Sequence, residues 1–129
     1  MDKLYITGDL VYIHGSLRII SNCDGYYATY YDENESLQEV NVNVIEGIPL
    51  TTEILEKNGW EFMGHQVDFG GFLFDIYSKR DILPYLYYYY ADKDFSVSIC
   101  GEVVLPNMKY VHELQHLLFG LGINHEMEM

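Results

Sequence analysis

The residues best equipped for chemistry lie near the C-terminal end, in the stretch Tyr110 to Gly122. Within it, His112-Glu113-Leu114-Gln115-His116 reads H-E-x-x-H. On a helix that spacing lets two imidazoles share one zinc ion with the glutamate beside its water. A catalytic zinc also needs a third protein ligand and an open position. The longer pattern H-E-x-x-H-x-x-G-x-x-H is not met, because Phe119 and Gly122 stand at its glycine and third-histidine positions. His125 is the nearest substitute, and His65 and Glu126 are weaker ones. A zinc hydrolase built on this chain would therefore use His112, His116 and His125 as ligands and Glu113 as general base.

The helix that carries these residues sets a second expectation. Each residue turns about 100° around the axis, so Val111, Leu114, Leu117, Leu118 and Leu121 form one apolar stripe that must face a sheet. His112, Glu113 and His116 then fall mostly on the opposite, solvated side. The second feature is the tyrosine run, Tyr85 and Tyr87-Tyr88-Tyr89-Tyr90. As a strand it buries two rings and exposes two; as a binding surface it offers large contact area at small entropic cost. No G-x-S-x-G elbow, phosphate-binding glycine loop or Cys/His signature is present, and no two carboxylates are visibly paired for acid–base work.

Composition narrows the partner class. The chain has 129 residues, 20 Asp and Glu against 7 Lys and Arg, and a formal net charge of −13. That balance disfavours nucleic acid and anionic membranes, both of which call for basic residues. It suits solubility, or a basic protein partner. The 49% hydrophobic content supports a core, and 16% aromatic residues favour sheet. Cys23 and Cys100 lack C-x-x-C spacing and read as small hydrophobes, with a disulfide between them left open. The N-terminus from Met1 to Tyr5 does not resemble a signal peptide, no apolar run reaches transmembrane length, and the expected location is the cytoplasm.

Along the chain, Leu10–Ile13, Leu17–Ile20, Tyr26–Tyr31 and the alternating Val40, Val42 and Val44 read as strands separated by turn residues. They suggest a small SH3-like barrel or meander over residues 1–47. Residues 48–129 form the other expected lobe. In it, Thr51 caps a short helix that stops at Asn58-Gly59, followed by strands around Trp60–Val67, Phe72–Tyr77, Tyr85–Tyr90, Phe95–Ile99 and Glu102–Leu105. The C-terminal helix packs on that second sheet. The fold class is α+β, as two lobes or one compact domain.

Two blocks together carry a resemblance: Ile45-Glu46-Gly47-Ile48-Pro49-Leu50-Thr51-Thr52 leading through the helix to Asn58-Gly59-Trp60, and Lys109-Tyr110-Val111-His112-Glu113-Leu114-Gln115-His116-Leu117-Leu118. They resemble a group of short proteins of gut bacteria and their phages or mobile elements. In that group a "PLT-helix-NGF" block precedes strands and a terminal "KYVHxLQ" helix. No activity is attached to it, and its members often carry Gln and Asn at the positions matching Glu113 and His116. The resemblance implies an architecture and an origin. The leading expectation is a non-enzymatic acidic interaction protein that binds a protein partner as inhibitor or accessory factor, without cofactor, and self-association through the tyrosine strand remains open. The alternative is the minimal zinc hydrolase.

Overall fold

Short alternating runs divided by tight turns form two separate antiparallel sheets in the computed structural model, which describes residues 5–129. The N-terminal stretch read above as carrying no leader lies outside the described residues as far as Leu4. The chain divides into two units, one running to Pro49 and resuming over Tyr110–Met127, the other comprising Leu50–Lys109 and the last two residues.

The first unit opens with β1 (Leu10–Ile13) and β2 (Ser16–Cys23), joined by the two-residue turn His14-Gly15. Both turn residues have positive φ, 52° and 79°, which a tight hairpin between twisted strands requires. β3 (Tyr27–Tyr31) and β4 (Leu37–Asn41) follow. The strand expected over Val40–Val44 breaks at Asn41, whose side chain accepts a hydrogen bond from Asn43 N and starts a 3-10 turn over Val42–Val44. Val42 is thereby buried and Val44 exposed. The turn delivers β5 (Ile45–Gly47) to the far side of β1, giving the order β4-β3-β2-β1-β5. The edge strands β4 and β5 do not pair, so this is an open sheet; the expected SH3-like closure is not formed. Val11, Ile13, Ile20, Ala28, Tyr30, Val42 and Ile45 make its core.

In the second unit, α1 (Thr52–Lys57) forms as the capping residues dictate. Thr51 Oγ1 accepts from Ile54 N at 3.2 Å, Glu53 lies in the first turn, and Gly59, at φ 88°, ends the helix. Trp60 beyond it is buried, as is Leu55. Strands β6 (Trp60–Val67), β7 (Leu73–Lys79), β8 (Tyr85–Tyr89), β9 (Asp94–Ile99) and β10 (Glu102–Met108) make a meander in order β10-β9-β8-β7-β6. Paired residues of antiparallel strands share a face. One face therefore carries Tyr77, Leu86 and Val97 with Asp75, Tyr88 and Phe95. The other face carries Phe74, Tyr89 and Asp94, then Ile76, Tyr87 and Ser96, then Tyr85 and Ser98.

The chain then returns to the first unit as α2 (Val111–Gly120), which packs on β1. This corrects the expectation that the C-terminal helix closes over the second sheet. It also rotates the helix: Val111, Leu114, Gln115 and Leu118 are buried, whereas Leu121 is exposed. The reason is Gln115, completely buried, whose Oε1 accepts from Leu10 N at 2.8 Å and whose Nε2 donates to Gly8 O at 2.8 Å and His125 O at 3.0 Å. A buried amide with three partners outweighs one leucine on the rim. Among the described residues no helix is long and apolar enough to cross a membrane.

Replacing Gln115 by Leu keeps volume but strands the groups it serves. Gln115→Leu should lower stability by roughly 2–4 kcal/mol, as a shift of the urea midpoint at unchanged slope. A neutral or stabilising effect would mean that the apolar stripe alone anchors α2.

Candidate functional site

The H-E-x-x-H segment is absorbed into the first unit. His116 Nε2 lies 2.7 Å from Oδ2 of Asp9, a carboxylate with no solvent exposure, and the same oxygen accepts from Ile6 N at 2.9 Å. Asp9 occupies the loop before β1, so this contact and Gln115 fasten α2 to the same few residues. Glu113 Oε1 accepts from Tyr110 N at 3.0 Å, which places it on the helix N-terminus. His112 stacks on Tyr110 with ring centroids 5.6 Å apart and planes 14° apart. A Cβ added at Gly47 would lie 2.6 Å from Tyr110 Cδ1 and 3.1 Å from His112 Cε1, so only glycine leaves room for these rings. His125 Nε2 contacts Thr7 O at 2.9 Å.

His112 and His116 are neighbours, with centroids 5.6 Å apart. His125 meets Phe119 instead. The described residues contain no group of three or more His, Cys, Asp or Glu placed to hold a metal ion, so the donor set expected for zinc does not assemble. The polar face expected to be solvated is half-buried and bonded.

Sequence reasoning missed a polar cluster in the second unit, beyond naming His65 as a weak ligand. Asp75, only 7% exposed, receives the His65 Nδ1 contact at 2.6 Å on one oxygen and the Tyr90 hydroxyl at 2.5 Å on the other. A carboxylate oxygen bonded to His65 Nδ1 takes the Nδ1–H tautomer as its donor. A bulge between Phe62 and Gly64 in β6 sets the register that brings His65 opposite Asp75. This is the orienting half of a general base. Among the described residues no hydroxyl or thiol is bonded to His65 Nε2 as a nucleophile. Tyr90 is pushed up to about 12, first by its bond to Asp75 and then by burial.

The tyrosine run divides between faces. Tyr87 and Tyr89 lie against Phe74, at centroid distances of 4.6 and 5.0 Å, while Tyr88 packs on Phe95 at 5.0 Å. Tyr87, Tyr88 and Tyr89 are all half-buried, and Tyr85 and Tyr90 are exposed. The two buried and two exposed rings expected from alternation give way to this intermediate state, because both faces of β8 are partly covered.

Beside Tyr89 rises the β6–β7 hairpin tip. Asp68 Oδ1 accepts from Gly70 N and Phe72 N, both at 2.9 Å, and Gly71 at φ 83° completes the turn. The tip is thus a bonded structure, and it holds Phe69 fully in solvent with Val67, Phe72 and Leu73 exposed around it. Between tip and sheet lies a cavity of about 310 Å³, lined by Asp68, Asp92, Asp94, Phe72, Tyr89 and Ser96 among others. Asp94 is 4% exposed, and burial followed by the charge of Asp92 raises its carboxyl above the usual range, with Lys109 opposing. Burial, then Asp68, raises Tyr89 as well.

Neither the protein-family models, nor the curated proteins, nor the solved structures contain a match to this chain.

The Asp75 cluster has a titration signature. Because the folded-state value of Tyr90 is raised, its contribution to stability is complete below pH 10 and is lost as pH rises towards about 12. Asp75→Asn should bring the highest-titrating tyrosine down towards 10 in an ultraviolet titration, with a smaller fall at Tyr77, which Asp75 also raises. An unchanged titration would show that Tyr90 does not depend on Asp75.

Proposed function

We propose that this chain is a non-enzymatic acidic interaction protein that binds a basic protein segment carrying an apolar anchor. The reading rests on one observation: a hydrogen-bonded hairpin tip that holds Phe69 fully exposed beside the carboxylates of Asp68, Asp92 and Asp94. Monomeric surfaces seldom hold a large aromatic fully in water on an ordered turn, and aromatic anchors ringed by charge are what interfaces use. Preorganisation lowers the entropy lost on docking. The net charge of −13 supplies the complementary field for a basic partner. The resemblance to proteins of phages and mobile elements fits an inhibitor or accessory factor that covers the basic surface of a target.

The zinc hydrolase reading draws no support from the geometry around His112 and His116. The tyrosine strand contributes Tyr89 to the proposed surface, while Tyr87 and Tyr88 pack on Phe74 and Phe95.

A short peptide alternating lysine and leucine is the probe. Its affinity should fall by about tenfold or more between 50 and 300 mM salt, as screening removes the charge attraction. Phe69→Ser, a surface change that leaves the fold intact, should weaken binding by about tenfold. Salt-insensitive binding, or a Phe69→Ser variant that binds as the parent does, would sink the proposal.

A further inference from the structure

We infer that the cavity between the hairpin tip and the second sheet is a socket for one primary-ammonium side chain, the lysine of a partner segment, which its floor binds through Asp94 and Ser96. This deepens the proposed function and rests on it. Three observations carry the assignment. The floor residues are polar yet buried, Asp94 at 4% and Ser96 at 6% exposure; neither side chain is hydrogen-bonded to a described residue, and the charge of Lys109 acts on Asp94 without a bond. On the same sheet face, Ser98 Oγ is buried and likewise has no partner among the described residues. Asp94 and Ser96 line the cavity and Ser98 lies behind them on the same face, so a donor entering from outside would meet polar groups that no side chain of the described residues bonds. An ammonium supplies three donors and a positive charge.

The walls select the rest of the ligand. Phe72, Tyr89 and Val103 line the sides, apolar surface against which a four-carbon stem can lie with its charged end below. Aromatic faces also attract the cation itself. Asp68 and Asp92 at the margin add attraction for a positive group over a neutral one. Absence of a metal-holding group among the described residues favours a long organic cation over a bare ion. The volume of about 310 Å³ suits one side chain and not a large cofactor.

The test uses the full chain labelled with 15N and two neutral-backbone probes, N-acetyl-lysine methylamide and N-acetyl-norleucine methylamide. At low salt the lysine probe should shift the amides of Tyr89, Asp94 and Ser96 saturably, about tenfold more tightly than norleucine. Asp94→Asn, which removes a buried charge, should keep the folded spectrum and lose that preference. Ala91→Leu, on the exposed turn lining the cavity, should weaken the lysine probe without touching its charge partners. Equal affinity for both probes, shifts confined elsewhere, or an Asp94→Asn variant that still prefers lysine would overturn the inference. Such a failure with the lysine–leucine peptide still bound through Phe69 leaves the broader reading standing. Loss of the Phe69 effect with lysine still captured at Asp94 removes the broader reading instead.

Discussion

A buried polar group must find partners inside the protein or be served from outside, and that constraint orders both units. In the first, Gln115 makes three hydrogen bonds from a completely buried position, and Asp9 receives His116 and Ile6 N. These bonds decide which face of α2 turns inward and which sheet it joins. Within the H-E-x-x-H segment, Gln115 and His116 enter that arrangement, Glu113 caps the helix and His112 stacks on Tyr110. Its spacing is what a metal helix would need, yet here the same residues hold a loop, a strand and a helix together.

The second unit treats its buried polar groups unequally. Asp75 is answered by His65 and Tyr90, at the end of the face that carries Leu86 and Val97. On the opposite face Asp94, Ser96 and Ser98 are buried, and Ser98 Oγ has no partner among the described residues. Local rules of satisfaction are broken most often where a protein meets a ligand, at a cost in stability. The break here coincides with the most exposed aromatic on the chain, Phe69, and with three carboxylates around one cavity. An aromatic anchor, an acidic margin and a polar, buried floor are complementary to a single kind of partner.

Much of the architecture was legible in the residues. Thr51, Glu53 and Asn58-Gly59 specify α1 because capping chemistry is local, and the alternation of Phe95, Val97 and Ile99 specifies β9 for the same reason. The return of α2 to the first unit was not legible. That depends on Gln115 meeting Leu10, 105 residues away, and periodicity counts a glutamine as polar wherever it points. The Asp75 cluster was hidden by the bulge in β6, since register after a bulge cannot be read from alternation. The hairpin tip left a signal that could have been used: Phe69 is a bulky apolar residue immediately before Gly70-Gly71, where turn chemistry favours small or polar types.

Hydrogen exchange of the full chain, with and without the lysine–leucine peptide, tests the central claim most directly. The account places new protection at residues 67–73 of the hairpin tip and 89–96 around the cavity, with the first unit unchanged. Protection centred instead on Leu17, Ile19, Tyr31 and Leu37, the exposed apolar residues of the first sheet, would contradict it and move the binding surface to the other unit.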